Sequence, residues 1–389
     1  MGAYQRVVAA ATLANLGDGI RIVALPLLAA SITRDPAQVA GLTVAAYLPW
    51  VLFALPIGAL IDRGRPESFM AIANLGRAVL LTGMALAGAD SIVMLYGIAF
   101  LVGVGEATYD TAAQSLIPKI VTDTELEKAN SALITAERLG QDLVGPAVGG
   151  ALFAASTMLP FGLNAAGLAV AGVLLIGIRT SRGTPVSRWL LSDALDGLRW
   201  LIRPHLVRTV ILTGAAMNFF TLAWESVLVL LATGPIGMSE TGYGIMLGAG
   251  AVGGVGGAMA TPALVRRFET RHLQICVLAV CAVIDLALAA VPSAATAALA
   301  WGGTGGAFAI WSVVSVTLRQ RLVPAQMLGR VNSANRIFGM TACPLGALAG
   351  GLLASVAGLR APVWAAGVAM AALAVLFAVR TRSAALQPV

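Results

Sequence analysis

Charge is what this sequence has least of. Of 389 residues, 25 are Lys or Arg and 18 are Asp or Glu, 11% of the chain, against 58% apolar. A soluble globular protein carries about 25% charged residues, so a water-facing surface cannot be built from this composition, and a disordered chain is excluded with it. Histidine is nearly absent. His205 and His272 both sit at the margins of apolar runs, which argues against a histidine-based metal or catalytic centre. Cys276, Cys281 and Cys343 fall inside apolar runs, without metal-ligand or disulfide spacing. No nucleophile–base spacing appears, so a membrane-embedded enzyme is not expected. The first apolar run contains Asp18 and Arg21 and continues to Ile32, so it reads as a first span and not as a cleavable leader.

What is abundant is apolar sequence in long runs. A span needs about 20 apolar residues, and the runs predict an all-α polytopic membrane protein with about twelve transmembrane helices. They fall near 7–32, 38–61, 68–88, 91–117, 129–155, 159–179, 207–233, 241–264, 272–292, 295–318, 332–357 and 362–380. The net charge of +7 does not mark a nucleic-acid partner, because the bases lie in short clusters between apolar runs. With the N-terminus inside, 20 bases fall on inner segments and two, Arg34 and Arg360, on outer turns. That bias predicts both termini in the cytoplasm. With 23 Arg to 2 Lys and abundant Ala and Gly, the chain reads as a bacterial inner-membrane protein.

The longest polar stretch is 180–206. Within it a helical stripe of Leu and Ile with Trp189 and Trp200 reads as an amphipathic helix on the inner membrane surface. It divides the chain into an N-terminal six-helix bundle (1–180), a cytoplasmic linker (181–206) and a C-terminal six-helix bundle (207–389). The halves carry related landmarks: Pro118, Asn130-Ser131-Ala132 and Gly149-Gly150 recur in order as Pro324, Asn332-Ser333-Ala334 and Gly350-Gly351. This predicts duplication of a six-span unit and a pseudo-symmetric pair of bundles.

Two motifs stand out. Gly58-Ala-Leu-Ile-Asp62-Arg63-Gly64-Arg65 follows the second span, and Gly145-Pro146-Ala-Val-Gly149-Gly150 lies in the fifth. The first resembles the loop 2–3 signature of the major facilitator superfamily, with a turn about one residue shorter. The second resembles the Gly-Pro signature in the fifth helix of that superfamily's antiporters. The stretches TYDTAAQSLIPKIVTDTELEKANSAL, SDALDGLRWLIRPHLVR and QRLVPAQMLGRVNSANRIFGMTACPLGALAGGLL are similar to its macrolide-efflux and enterobactin-exporter branch. The resemblance implies a rocking carrier with a conformational switch at Gly58, Asp62, Arg63 and Arg65, for which Asp110 is the expected partner. It also implies export, from the antiporter-like motif. Gly248-Ala-Gly250-Ala-Val-Gly253 fits a dinucleotide fingerprint by spacing alone and reads as helix packing.

Seven acids fall inside spans (Asp18, Glu106, Asp110, Glu137, Asp142, Glu225, Asp285) against three bases (Arg21, Arg77, Arg138). A charge at the bilayer centre costs roughly 2.5–3.5 kcal/mol on insertion scales, so these side chains must face a cavity or one another. Desolvation favours the neutral form of an acid, the property a proton-coupled carrier requires. Asp18 and Arg21, one turn apart and about midplane, are the first coupling candidates, with Glu106, Glu137 and Arg138 as alternatives. Arg77, Asn218, Trp224, Glu225 and Trp311 are candidates for the substrate cavity. The expectation is a monomeric exporter of a small amphipathic molecule by proton antiport, with no cofactor beyond the proton and no partner beyond substrate and lipid bilayer. A lipid or lysolipid flippase of the same fold is the alternative, and a non-transporting membrane sensor a more distant one.

Overall fold

The computed structural model describes residues 2–180, 199 and 206–382. The expected linker helix, with Trp189 and Trp200, falls almost wholly outside them. Among the described residues the chain is helical and holds no strand, as a lipid solvent demands, because only helices satisfy every backbone group within one segment. In order, the helices are α1 (Ala3–Ile32), α2 (Pro36–Arg63), α3 (Pro66–Ala87), α4 (Ile92–Ile120), α5 (Leu126–Glu137), α6 (Gly145–Ala155) and α7 (Leu159–Leu175). Then follow α8 (Leu206–Glu225), α9 (Leu228–Thr233), α10 (Glu240–Arg267), α11 (Thr270–Ala290), α12 (Ala294–Leu322), α13 (Ala325–Ala357) and α14 (Ala361–Arg382).

Ten helices, counting α8–α9 as one, are long and apolar enough to cross a membrane. The remaining two spans are shorter or broken. α7 has 17 residues. The fifth span is α5 and α6 joined by a seven-residue π-helix, Arg138–Val144, in which the Gly145 N–H reaches back to Gly140 O. Pro146 has no N–H to give the Asp142 carbonyl, so the wide turn lies where an α-helical bond is already lost. With these two, the twelve expected spans are accounted for. The seventh span breaks between Glu225 and Leu228. There the Ser226 hydroxyl donates to Ala223 O (3.3 Å) and Ala347 O (3.4 Å). Tight turns end α3 and α13 at Gly88 (φ 76°) and Gly358 (φ 88°), where only glycine is unstrained.

By packing, the chain forms two compact units. The first comprises 1–34, 45–187 and 238–248, the second 35–44, 188–237 and 249–389. In the first, α1 is the central helix, packed by α4, α5, the π-helix, α6 and α7, while α3 lies against α4 and α7. Its buried residues include Asp18 and Arg21. In the second, α8 packs on α12, α13 and α14, and α11 on α12 and α14. Val210, Met217, Leu278, Trp311, Met370 and Phe377 form its core.

The duplicated Gly-Gly pairs make the same kinds of contact. A Cβ on Gly149 would come 2.6 Å from the carbonyl oxygen of Ile20 in α1, and one on Gly350 2.5 Å from the Cα of Ala223 in α8. The second glycines face the start of another helix: Gly150 lies 3.1 Å on the same measure from Gly244 Cα in α10, and Gly351 3.1 Å from Ala37 Cα in α2. Equivalent residues thus do equivalent work in each unit.

Candidate functional site

The first unit holds a buried charge network on α1, α3 and α4. Arg21, one turn beyond Asp18 on α1, donates through Nη2 to Asp18 Oδ1 (3.3 Å) and to Glu106 Oε2 (2.6 Å). Arg77 on α3 donates through Nη2 to the same Asp18 oxygen and through Nη1 to Asn74 Oδ1 (3.4 Å). Asp18 therefore bridges two arginines and Arg21 bridges two carboxylates. Asp18 (4% exposed), Arg21 (6%) and Arg77 (1%) are buried, and the Glu106 side chain is 19% exposed. Two cations and two anions cancel, which makes burial tolerable, since an uncompensated buried charge costs about 3–5 kcal/mol.

The local sequence explains why these side chains meet. Gly105 precedes Glu106, and a Cβ there would lie 2.6 Å from Arg77 Cγ, so the arginine stem crosses α4 only because that position is bare. Behind Asp18, Gly19 and Ile20 rest on the π-helix and the antiporter-like motif. A Cβ on Gly140 would meet Leu16 N at 2.9 Å, and one on Gly145 would meet Gly19 Cα at 2.6 Å. Gly145, Gly149 and the wide π turn thus hold the α1 backbone at the level of Asp18, while Gly150 turns to α10. Pro146 is buried, its carbonyl oxygen facing Gly244 of α10.

Around the network lie polar atoms that find no protein partner: Arg21 Nε, Arg77 Nε, Asn74 Nδ2, Tyr109 Oη and both amide atoms of Asn164. Asn164 on α7 faces Gly17, beside Asp18. Tyr109 is within electrostatic reach of Asp110, Arg77 and Asp18. Buried polar groups are normally satisfied, so this concentration marks a place able to hydrogen-bond water or a passing ligand. Nothing in the sequence alone marks Gly105, Tyr109 or Asn164, and the i, i+3 spacing of Asn74 and Arg77 is the one signal for Asn74.

Several of the expected site residues lie apart from one another or in other surroundings. Arg77, expected at the substrate cavity, is 1% exposed and a member of the network, its Nη atoms on Asp18 and Asn74 and its Nε without a protein partner. Glu137 and Arg138 do not join the network. Both are exposed, and Arg138 donates to Asp142 Oδ2 at 2.7 Å on its own helix. Asp62, Arg63 and Arg65 are exposed and make no ion pair among the described residues. The expected bond to Asp110 is absent because Asp110 lies ten residues before the end of α4, about 15 Å of helix rise from the loop. Gly58 has open space around it. Near that loop Glu67 is the buried acid (2% exposed), and its carboxylate accepts from Thr180 N (3.1 Å) and Oγ1 (2.7 Å).

In the second unit, Trp224 (1% exposed) and Trp311 (7%) are core residues, packed edge-on against Trp301 at 6.0 Å and Phe377 at 5.9 Å. Aromatic size served packing here instead of a pocket lining. Asn218 is half-buried, its amide donating to Gly339 O at 3.4 Å. Glu225 is half-buried within electrostatic reach of Asp285, which is 1% exposed with Oδ1 unpartnered. No base pairs with either acid among the described residues.

Comparison with known proteins places this geometry in a family. A family model described as transmembrane secretion effector matches residues 1–387. The chain is 26% identical over 363 residues to an uncharacterized MFS-type transporter, y4rN, of Sinorhizobium fredii, covering 88% of this chain and 86% of the relative. It is 24% identical over 396 residues to the multidrug efflux pump Tap of Mycolicibacterium fortuitum, covering 96% and 95%. A bacterial homologue of the human lysosomal transporter Spinster, solved in an inward-facing and occupied conformation, superposes with a TM-score of 0.77 over 97% of this chain and 96% of that one, at 16% identity.

Proposed function

Because this chain belongs to the transmembrane secretion effector family of the major facilitator superfamily and is a multi-pass membrane transporter, we propose that it exports a small amphipathic molecule by proton antiport across a bacterial inner membrane. It acts as a monomer with both termini in the cytoplasm. The observation that carries the reading is the closed, neutral Asp18–Arg21–Glu106–Arg77 network. A proton on Asp18 removes one anion shared by two arginines. Arg21 then keeps only Glu106, and Arg77 keeps only Asn74. The protonated and unprotonated forms thereby differ in side-chain arrangement and in net charge, the difference in energy that a coupled switch needs. The small-residue contact of Gly145 and Gly149 with α1 transmits such a change to the fifth span. A curated relative named a multidrug efflux pump supports export.

The exposed loop charges Asp62, Arg63 and Arg65 serve as a switch contact formed in another state of the cycle. The experiment is a proton-flux assay in proteoliposomes against a panel of lipophilic cations, macrolides and siderophores. Proton movement evoked by at least one compound, driven outward-to-inward against substrate, supports antiport. Substrate movement insensitive to a collapsed proton gradient overturns it.

A further inference from the structure

The second unit has a cavity of about 380 Å³ that belongs to no part of the charge network. It is a groove between the end of α10, α11 and α12, lined by Leu264, Phe268, Cys276, Val280, Gly306 and Ile310 among others. Its walls are almost wholly apolar, and Gly303 and Gly306 on α12 line it as well. It opens outward: Phe268 is 54% and Val280 48% exposed. From His272 to Val280 it follows α11 for roughly 12 Å.

One mouth of the groove is basic. His272 lines it, and Arg266 and Arg267, within a turn of the lining Leu264 and Phe268, are exposed. Arg271, beside His272 at the start of α11, is turned to α14 and donates to Thr381 Oγ1 (2.9 Å) and Ala378 O (2.7 Å), so it does not line the groove. The acid at this mouth, Glu269, is turned to His272 (3.4 Å). The mouth also lies at the start of α11, whose first N–H groups receive no capping side chain and so favour an anion.

An apolar slot in the membrane region with two exposed arginines at one end fits a molecule with a chain and an anionic head. We propose that the groove is a binding site for one anionic phospholipid of the surrounding bilayer, an acyl chain lying along α11 and the phosphate held by the exposed Arg266 and Arg267. The occupant is a lipid and not a soluble phosphate ester, because the slot behind the arginines offers only hydrocarbon contacts.

The test is native mass spectrometry of the full chain released from bilayers of equal phosphatidylglycerol and phosphatidylcholine. The wild type is expected to retain one phosphatidylglycerol in preference to phosphatidylcholine. Arg266→Gln and Arg267→Gln should each lower that preference roughly fivefold, without loss of folded protein, since both side chains are exposed. Cys276→Trp, or Val280→Trp if the first misfolds, fills the slot and should abolish retention of either lipid. Equal retention of the two lipids, unchanged preference in the arginine variants, or a dimer that Cys276→Trp dissolves would each overturn the proposal. The last outcome would assign the groove to a second copy of the chain.

Discussion

At the scale of single residues, the network works by charge balance. Asp18→Asn should end gradient-driven export while leaving substrate binding and downhill exchange, read as substrate counterflow in vesicles with no proton gradient. Full proton-driven export by that variant would move coupling to Glu106. The same change leaves two arginines facing one carboxylate, so folded yield should fall. Arg77→Gln should also reduce it, for the opposite imbalance. The double variant Asp18→Asn/Arg77→Gln restores neutrality and should melt higher than either single variant, because breaking one side of a buried pair costs about 3–5 kcal/mol and removing both sides costs less. Double-variant stability equal to the sum of the two losses would show that the residues act independently. The acids were legible in the sequence because a charge in an apolar run is conspicuous. Arg21, one turn from Asp18, was legible with them, but the partners on other helices were not. Arg77 stands 59 residues from Asp18, and what joins them is the missing side chain of Gly105, which has no meaning until α3 and α4 are packed.

At the scale of elements, twelve spans could be read from apolar runs, and their ends agree with the helices to within a few residues at most boundaries. The two interruptions could not. The π-helix at Arg138–Val144 and the break after Glu225 arise from backbone hydrogen-bond geometry, to which hydropathy is blind. Pro146 hinted at the first, and nothing in the local sequence hinted at the second. The contact of α6 with α1 gives a test. Gly149→Val would drive a side chain into the Ile20 backbone, which cannot move as a flexible side chain would. The overpacking is expected to cost about 1–3 kcal/mol and to slow transport more than it reduces the folded fraction measured by size-exclusion chromatography. A Gly149→Val carrier with wild-type turnover would dissociate the motif from α1.

At the scale of the whole molecule, the recurrence of Gly-Gly in the two halves is visible in packing contacts and not only in sequence. Gly150 and Gly351 are counterparts that each meet the backbone of a second helix, α10 and α2 respectively. Substitution to Val at either should impair export to a similar degree, whereas Gly58→Val, with open space around it, should be milder. Unequal effects of more than about tenfold, or 1.4 kcal/mol, between Gly150→Val and Gly351→Val would show that the halves have diverged in role. Orientation rests on arginine distribution, and loops 88–91 and 64–65 lie on opposite sides by helix count. With exposed Cys276 replaced by Ser, a cysteine at Asp90 should react with an impermeant maleimide applied to intact cells, and one at Arg65 should not. The reverse pattern would invert the topology.

The neutrality of the four-residue network also has an electrical side. A group with no net charge does no work when it changes its position in the membrane field, whereas a full crossing by one elementary charge is worth roughly 2.3 kcal/mol per 100 mV. For an uncharged substrate, the empty network would return without feeling the voltage, and the proton-loaded network, carrying one positive charge, would be pulled inward by a negative interior. Voltage alone, with equal pH on both sides, should then drive export, and its force would fall on one half of the cycle only.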